Sequence, residues 1–295
     1  MKKLIIIFAA MVLFGGFVKA GTWTTLDVPG ASQTRIRDIE GSNLVGYYLD
    51  NSGLRHGFIR SGTTWTTLDA PGASATYAHG INGGNIVGYY SDASYHDHGF
   101  LYDGSTWTTI DAAGANNTYA YGVDGGNIVG SYDGHGFIYD GTTLSTLDVP
   151  GGIETYVYDI DGGNIAGYFR DPDNSYYEYR GFLYDGTTWT TLDAPGGFII
   201  AGMKMDTFIY GISGSNLVGL GNGGGFLYNG TILTTLNMPG VLPTKTKIWS
   251  IDGYLLVGSY QDGSGIYHGF VYEIPEPASV ILLSLGALFL RRRSE

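Results

Sequence analysis

Short apolar runs separated by glycine-rich turns recur along the chain between Gly21 and Glu273. The runs at 86–90 and 99–102 are apolar on both faces of a strand, whereas the Thr-rich run at 106–110 is half polar. Gly-Gly and Asp-Gly pairs stand between neighbouring runs, which is typical of hairpin turns. This stretch therefore predicts four short antiparallel strands, at 75–81, 85–91, 98–102 and 106–110.

The same unit occurs six times. Each copy opens with a segment like Gly-Thr-Thr-Trp-Thr-Thr-Leu-Asp-Ala-Pro-Gly and closes with a Gly-Phe block, and successive copies start about 42 residues apart. Six four-stranded units of this length predict an all-β, six-bladed β-propeller. A β-solenoid is the alternative, because it also repeats and tolerates glycine, although its coils are usually shorter and more uniform. The copies start at Gly21, Gly62, Gly104, Gly141, Gly186 and Gly230.

The polarity of the runs predicts the order of strands within a blade. Runs that are apolar on both faces suit the middle strands, which are sandwiched between neighbouring blades, and the Thr-rich run suits the outer rim. The last copy then lacks an outer strand of its own. We expect residues 22–27 to supply it beside 268–272 and to close the ring, since an open ring would expose unpaired edges.

The N-terminal residues 1–20 have the pattern of a secretory signal peptide. Lys2 and Lys3 precede an apolar run at 4–18, and small residues precede a cleavage position between Ala20 and Gly21. The mature repeat domain is therefore expected to span residues 21–273.

Residues 274–295 have the order of a sorting tail. The motif Pro275-Glu276-Pro277 precedes an apolar span at 278–290, which is shorter than the roughly 20 residues that a helix needs to cross a bilayer. Arg291, Arg292 and Arg293 follow, and arginine tends to stay on the cytoplasmic side. This order resembles the PEP-CTERM tail of exported Gram-negative proteins. The resemblance implies an exosortase as partner, transient membrane association, processing near the motif, and a final location at the outer surface or in the extracellular matrix.

Composition and charge narrow the class of partner. The chain has no cysteine, so an exported domain of this size must rely on its core rather than on disulfides. Between residues 21 and 275 there are 9 basic and 25 acidic residues. Nucleic acid is therefore not expected as a partner, because phosphate binding needs a basic surface.

A His-Gly-Phe triplet begins the third strand of four copies and resembles the triplet of the extracellular HAF-repeat family. That family has no defined activity, so the resemblance implies fold and compartment only. Equivalent positions in six blades lie too far apart to share one metal ion, and we expect each histidine to hold a local hydrogen bond. The histidines are His56, His98, His135 and His268, and Arg180 and Gly224 replace them in the other copies.

The recurring aspartates have a turn-forming pattern. The Asp of Leu-Asp-x-Pro-Gly is expected to form an Asx-type turn into the Pro-Gly bend. Asp171 and Asp173 are spaced like the start of a calcium loop, but the glycine and terminal glutamate of an EF-hand are missing. No cofactor is predicted, with calcium the one ion that this spacing suggests. The five turn aspartates are Asp27, Asp69, Asp111, Asp148 and Asp193.

The longer loops carry the candidate binding residues. Connections between the second and third strands, and the Pro-Gly crossings, are expected on one face of the disc, where they vary in length. Tyrosine beside Asp, Asn and Arg suits carbohydrate, since it offers an apolar face and a polar tip. The alternative is that these tyrosines merely cover the blade ends. The candidates are Tyr89, Tyr90, Tyr95, Asp97, Arg170, Asp171, Asp173, Tyr176 and Tyr177.

No catalytic motif accompanies these loops. Neither a nucleophile elbow, a zinc-protease motif nor a phosphate loop occurs in the sequence. The sequence therefore favours a binding or structural module for exopolysaccharide or a surface partner. A secreted polysaccharide hydrolase or lyase with its site at the channel mouth is the alternative, because the separation of a carboxylate pair depends on the fold. A third interpretation is a structural spacer that binds no ligand.

Overall fold

The computed structural model describes residues 21–172, 179–193, 206–221 and 223–275. Trp23–Glu273 form one compact unit. Several predictions concern residues outside the described ranges: the signal peptide with Ala20, the tail residues Glu276, Pro277 and Arg291 to Arg293, and the site residues Asp173, Tyr176 and Tyr177. In the part of the chain that is described, no helix is long and apolar enough to cross a membrane.

The described residues form six separate four-stranded antiparallel sheets, each a blade of a propeller. The prediction of a six-bladed β-propeller is confirmed, and the solenoid alternative is wrong. In the second copy the observed strands agree with the predicted bounds to within one residue at each end. The regular turn spacing made this possible, because Gly-Gly and Asp-Gly pairs mark where strands end.

The strands of the first three blades run in chain order from the axis to the rim. Blade 1 contains β2 (Gln33–Glu40), β3 (Asn43–Leu49), β4 (Arg55–Ser61) and β5 (Thr64–Leu68). Blade 2 contains β6 (Ala75–Asn82), β7 (Asn85–Ser91), β8 (Asp97–Tyr102) and β9 (Trp107–Ile110). Blade 3 contains β10 (Thr118–Asp124), β11 (Asn127–Tyr132), β12 (His135–Tyr139) and β13 (Leu144–Thr146).

The remaining blades follow the same plan until the last, which takes its outer strand from the N-terminus. Blade 4 contains β14 (Thr155–Asp161), β15 (Asn164–Arg170), β16 (Tyr179–Tyr184) and β17 (Trp189–Leu192). Blade 5 contains β18 (Phe208–Ser213), β19 (Asn216–Gly221), β20 (Gly224–Tyr228) and β21 (Leu233–Thr235). Blade 6 contains β22 (Thr246–Asp252), β23 (Leu255–Gln261), β24 (Tyr267–Glu273) and β1 (Thr22–Leu26), and a 3₁₀ turn, Pro243–Lys245, precedes it.

A phenylalanine packed over a glycine forms the centre of each blade. In blade 2, Phe100 on β8 is fully buried and stands opposite Gly88 on β7. A Cβ atom at Gly88 would lie 2.0 Å from the carbonyl oxygen of Tyr77, so only glycine fits there. The same pair recurs in every blade, which explains the recurring Gly and Gly-Phe blocks. The other pairs are Gly46 with Phe58, Gly130 with Phe137, Gly167 with Phe182, Gly219 with Phe226, and Gly258 with Phe270.

Closure of the ring is confirmed by the order β1-β24-β23-β22 in the last sheet. The ring of Trp23 on β1 lies 4.9 Å from that of Phe270 and 4.5 Å from that of Tyr272, both on β24. Trp65 has the same place beside Phe58 in blade 1, with centroids 5.0 Å apart. The N-terminal strand therefore completes a blade whose other three strands come from the C-terminal end of the domain's sequence.

Carboxylates join neighbouring blades on the face that carries the tight first-to-second and third-to-fourth turns, which we call the plain face. The backbone N–H of Gly83 in blade 2 donates to Glu40 of blade 1 at 2.7 Å. The N–H of Gly41 in blade 1 donates to Asp252 of blade 6 at 2.6 Å, across the closing seam. Asp124 and Asp161 accept equivalent bonds from the next blades. Each such bond satisfies a turn N–H with a charged acceptor.

Deletion of residues 21–30 should leave the protein aggregated or unfolded, because β24 would become an unpaired edge and blade 6 would lose Trp23. Size-exclusion chromatography and thermal melting measure this outcome. The matched control is Gly263→Ala, which alters an open turn where an added Cβ meets no atom within 4 Å and should leave the Tm unchanged. A soluble deletion variant with the Tm of the intact protein would refute closure by β1.

Candidate functional site

The first strands of the six blades surround a central axis and place two tiers of large side chains around it. The lower tier lines a cavity on the axis. The upper tier lies two residues earlier in each strand and nearer the face with the variable loops. The parallel rings of Tyr119 and Tyr121, with centroids 6.0 Å apart, show that the two tiers share one side of the strand. We call these twelve residues the axial funnel. The lower tier is Arg37, His79, Tyr121, Tyr158, Tyr210 and Trp249, and the upper tier is Arg35, Tyr77, Tyr119, Tyr156, Phe208 and Lys247.

The lower tier forms a nearly continuous ring of groups in contact, some stacked and others tilted or edge-on. Neighbouring blades contribute successive members, so each contact crosses a blade boundary. His79 and Trp249 are buried, and the other four members remain partly exposed. Around the ring, the separations are 3.7 Å from the Arg37 guanidinium to Trp249, 4.5 Å from Trp249 to Tyr210, 5.0 Å from Tyr210 to Tyr158, 4.6 Å from Tyr158 to Tyr121, and 5.0 Å from Tyr121 to His79.

Tyrosines on the second strands back the tiers. The ring of Tyr89 lies 4.5 Å from that of Tyr77, 4.9 Å from that of Tyr119 and 5.3 Å from that of His79. Tyr47 accepts a hydrogen bond from Arg37 Nη2 at 3.2 Å. The loop placement expected for Tyr89 is therefore wrong: it is a strand residue that faces the funnel.

The hydroxyl groups of the funnel stay protonated at neutral pH. Burial, reinforced by nearby carboxylates, raises the pKa of Tyr119 and of Tyr156 to about 12. Burial, reinforced by the positive charge of Arg37, lowers the pKa of His79 well below its usual value, so its imidazole is neutral. The funnel thus offers neutral O–H and N–H groups beside aromatic faces, a combination that suits polyhydroxylated ligands.

Two carboxyl groups form the floor of the funnel. Asp38 accepts the N–H groups of Ile39 and Ile81, both at 2.7 Å, and a bond from the Ser250 hydroxyl. Asp159 accepts those of Ile160 and Ile212, at 2.9 and 2.8 Å. Burial raises the pKa of both groups, and the charge of Asp38 raises that of Asp159 further.

The two carboxyl groups of the floor join neighbouring blades, and the cavity above them is small. Each carboxyl group links its own blade to the next, because one of its two N–H donors belongs to the neighbouring first strand. The cavity above them offers about 20 Å³ to the centre of a water molecule, which is room for about one water. A cavity of this size does not admit a glycosidic bond.

The recurring histidines form ion pairs near the rim of the variable-loop face. His98 Nδ1 lies 2.8 Å from Asp111, its Nε2 lies 3.6 Å from Asp92, and its ring stacks on Tyr90 at 5.2 Å. The Tyr90 hydroxyl in turn lies 3.1 Å from that of Thr109. The prediction of a local hydrogen bond is confirmed, and it holds for all four copies. The other pairs are His56 with Asp69, His135 with Asp148, and His268 with Asp27.

Blade 4 has the same arrangement with arginine in place of histidine. Arg180 donates from Nε and Nη2 to Asp193, both at 2.9 Å, and from Nη1 to Asp171 at 2.8 Å. The two carboxylates correspond to Asp111 and Asp92 of blade 2. The expectation that the recurring aspartates form Asx turns is wrong, because their carboxylates bond to the third strand of the same blade.

The remaining predicted loop residues are not brought together as one site. Tyr95 is 85% exposed at a loop tip, with a φ of 64°. Asp97 accepts a hydrogen bond from the Ser91 hydroxyl at 2.6 Å. Arg170 lies 3.5 Å from Glu154, and Asp171 pairs with Arg180. Asp173, Tyr176 and Tyr177 lie outside the described residues.

The funnel could have been found in the sequence from aromatic residues spaced two apart in the first strands. Tyr119 with Tyr121 and Tyr156 with Tyr158 show this pattern, as do Tyr77 with His79 and Phe208 with Tyr210. Metal ligation has no comparable signal. Across the described ranges, no group of three or more His, Asp or Glu side chains could hold a metal ion.

Comparison with known proteins gives likeness of fold only. No protein-family profile and no curated protein matches the chain. Among solved structures, the Aleuria aurantia six-bladed fungal lectin is 15% identical with a TM-score of 0.46, over 84% of this chain and 93% of the lectin. SapL1 lectin, solved with α-methyl fucoside, is 17% identical with a TM-score of 0.46, over 84% and 98%.

A bacterial lectin shows a similar level of likeness. BP39L from Burkholderia pseudomallei is 9% identical with a TM-score of 0.40, over 79% of this chain and 80% of the lectin. These values are too low to carry any property of those lectins over to this chain. The assignment of the fold rests on the strand order described above.

The rim pairs should make stability depend on pH. Burial opposes the charged form of His98, but the bonds and charges of Asp111 and Asp92 outweigh it and raise its pKa. The contribution to stability is therefore full below the unfolded value of about 6.5 and is lost as the pH rises through the folded value. We expect the Tm difference between the natural protein and His98→Gln to shrink as the pH rises from about 6 to about 9.

The control for this prediction is His96→Gln, since His96 lies two residues away with its side chain 55% exposed and its Nδ1 3.9 Å from Asp92. Its effect on the Tm should be small at every pH. A difference for His98→Gln that stayed constant or grew with pH would contradict the ion-pair assignment.

Proposed function

We propose that this protein is a carbohydrate-binding module that takes a saccharide into the axial funnel from the variable-loop face. The observation that carries the proposal is the pair of tiers, in which partly exposed aromatic rings are held rigidly by six strands. Aromatic faces pack against the C–H faces of sugars, and the tyrosine tips reach sugar hydroxyls. Concave sites with a few convergent polar groups are the usual form of a ligand site.

Binding is a better explanation of the funnel than hydrolysis. The two acids of the floor accept hydrogen bonds that link neighbouring blades, and the whole cavity that they line has room for about one water. The lower tier of side chains above them consists of groups that stay neutral, apart from Arg37. Turnover is therefore not expected, and the assay described below measures it directly.

Single substitutions in the upper tier should weaken binding. Tyr119→Ala or Tyr156→Ala should each lower the affinity for exopolysaccharide purified from the producing cells by at least about tenfold, which is about 1.4 kcal/mol. Tyr254→Ala is the control, because Tyr254 is 53% exposed in a turn on the plain face. Binding heat and new reducing ends are followed in the same titration.

The outcomes distinguish a binding module at the funnel from a site at the loops and from an enzyme. Heat without new reducing ends, reduced by the tier substitutions and not by Tyr254→Ala, supports the binding module. Loss of binding on Tyr95→Ala, with the tier variants unaffected, would move the site to the loops. New reducing ends, or new unsaturated ends, would make the protein an enzyme and overturn the proposal.

We further propose that the module acts outside the cell and reaches that place through its tail. What supports this is the order of motif, short apolar span and arginines between Pro275 and Arg293, together with the signal-peptide pattern of residues 1–20. Replacing Pro275, Glu276 and Pro277 with alanine should leave the protein in the membrane fraction of the producing cells, because the exosortase would no longer process it. Fractionation and immunoblotting measure this. A variant that is released like the natural protein would count against a sorting role for the motif.

A further inference from the structure

Basic side chains are rare in this domain, and four of them meet on one side of the axial funnel. Nine Lys and Arg residues occur between residues 21 and 273. Arg35 and Arg37 lie on the first strand of blade 1, and Lys245 and Lys247 lie at the start of blade 6. Closure of the ring makes these two blades neighbours, so residues about 200 positions apart in the chain form one cationic sector.

None of these four cations forms an ion pair with any residue in the described ranges. The Nε atoms of Arg35 and Arg37 are buried without a hydrogen-bond partner there. Lys245 bonds to a neutral group, the side-chain oxygen of Gln261 at 2.7 Å. Burial, and then repulsion from Arg37 and Arg35, lowers the pKa of Lys247. Among the described residues, the sector therefore holds like charges together without an ion-pair partner.

The acidic groups nearest the funnel do not fill this role. The carboxyl group of Asp38, on the floor, already accepts hydrogen bonds from two backbone N–H groups and from Ser250. Glu154 lies 3.3 Å from the hydroxyl of Tyr156, and Asp206 accepts the N–H of Tyr179 at 2.8 Å, both on the side of blades 4 and 5. Asp97 of blade 2 places a further carboxylate beside Tyr119 of blade 3. These acidic groups near the upper tier thus lie on blades 2 to 5, and the cations lie on blades 1 and 6.

Aromatic rings flank the cations on both levels. The guanidinium of Arg35 lies 3.7 Å from the ring centroid of Tyr267, and that of Arg37 lies 3.7 Å from that of Trp249. Stacking of this kind holds the planar groups in place. The buried imidazole of His79, 9% exposed and with its Nε2 unpartnered among the described residues, borders the same cavity.

We propose that the funnel selects acidic polysaccharide and directs a uronate carboxylate to the sector formed by Arg35, Arg37 and Lys247. This rests on the proposed function, and adds the chemical class of the ligand. A guanidinium fork matches a carboxylate in two parallel hydrogen bonds, while the tiers pack against the sugar ring that carries it. A neutral sugar would leave these partly buried cations unpaired, so it should bind more weakly.

The test uses polygalacturonate and the same polymer after chemical reduction of its carboxyl groups to neutral alcohols. The natural protein should bind the acidic polymer at least about tenfold more tightly than the reduced one, measured by calorimetry. Arg35→Gln and Lys247→Gln should each remove most of that preference. Arg60→Gln is the matched control, because it makes the same charge change on the third strand of blade 1, beside Trp65, and should leave the preference intact.

Folding is checked by the Tm of each variant. Lys247→Gln relieves repulsion from Arg35 and Arg37, so its Tm should equal or exceed that of the natural protein, and its loss of preference cannot be ascribed to unfolding. Equal binding of both polymers, still weakened by Tyr119→Ala, would overturn the carboxylate inference and leave the carbohydrate module standing. An equal effect of Arg60→Gln would also overturn the inference. Absence of binding to either polymer and to the exopolysaccharide would overturn the proposed function itself.

Discussion

Each blade of this ring has two apolar faces and therefore needs a neighbour on both sides. The middle strands carry buried residues on both faces, and a buried phenylalanine lies at the centre of each blade. A single such sheet would expose both faces to water, so the burial that stabilises it is complete only when the ring is closed. The pairing of β1 with β24 is what closes it. The plain-face links, the funnel and its floor all depend on that pairing.

Closure also determines how near the first strands come to one another. Each first strand bulges at the same position, and the residue after the bulge is small in four of the blades. At Gly122 an added Cβ would lie 2.8 Å from the Cα of Asp159 in the next blade, so a side chain does not fit there. The two blades with aspartate at this position use the carboxyl group to bind the next strand. The floor of the funnel is therefore narrow.

The functional hypothesis rests on differences between the six copies of the repeat. The His–Asp pairs recur and link the second turn, third strand and crossing within a blade, and Arg180 makes the same contacts in blade 4. Such repeated contacts explain stability and give no selectivity. The upper tier, by contrast, has aromatic residues in four blades and cations, Arg35 and Lys247, in the two blades that meet at the seam. The seam thus combines the closing contact of the fold with the side of the funnel that differs chemically from the rest.

Much of the fold follows from the sequence alone, because local sequence patterns determine it. The six copies, the four strands of each, their order from axis to rim and the closing role of residues 22–27 were all predicted from period, turn residues and apolar pattern. The site was predicted less well. Tyr89 and Tyr90 are adjacent, yet one faces the funnel and the other stacks on His98 at the rim, since successive strand residues point to opposite faces.

Only the tertiary structure decided which distant residues meet. His268 bonds to Asp27 across 241 residues, and Lys247 lies beside Arg37, because the last blade is joined to the first. Spacing along the chain shows that blades are equivalent but does not show which side chains converge on the axis. That convergence is set by the number of blades, the bulge in each first strand and the closure of the ring, which together bring six strands around one axis.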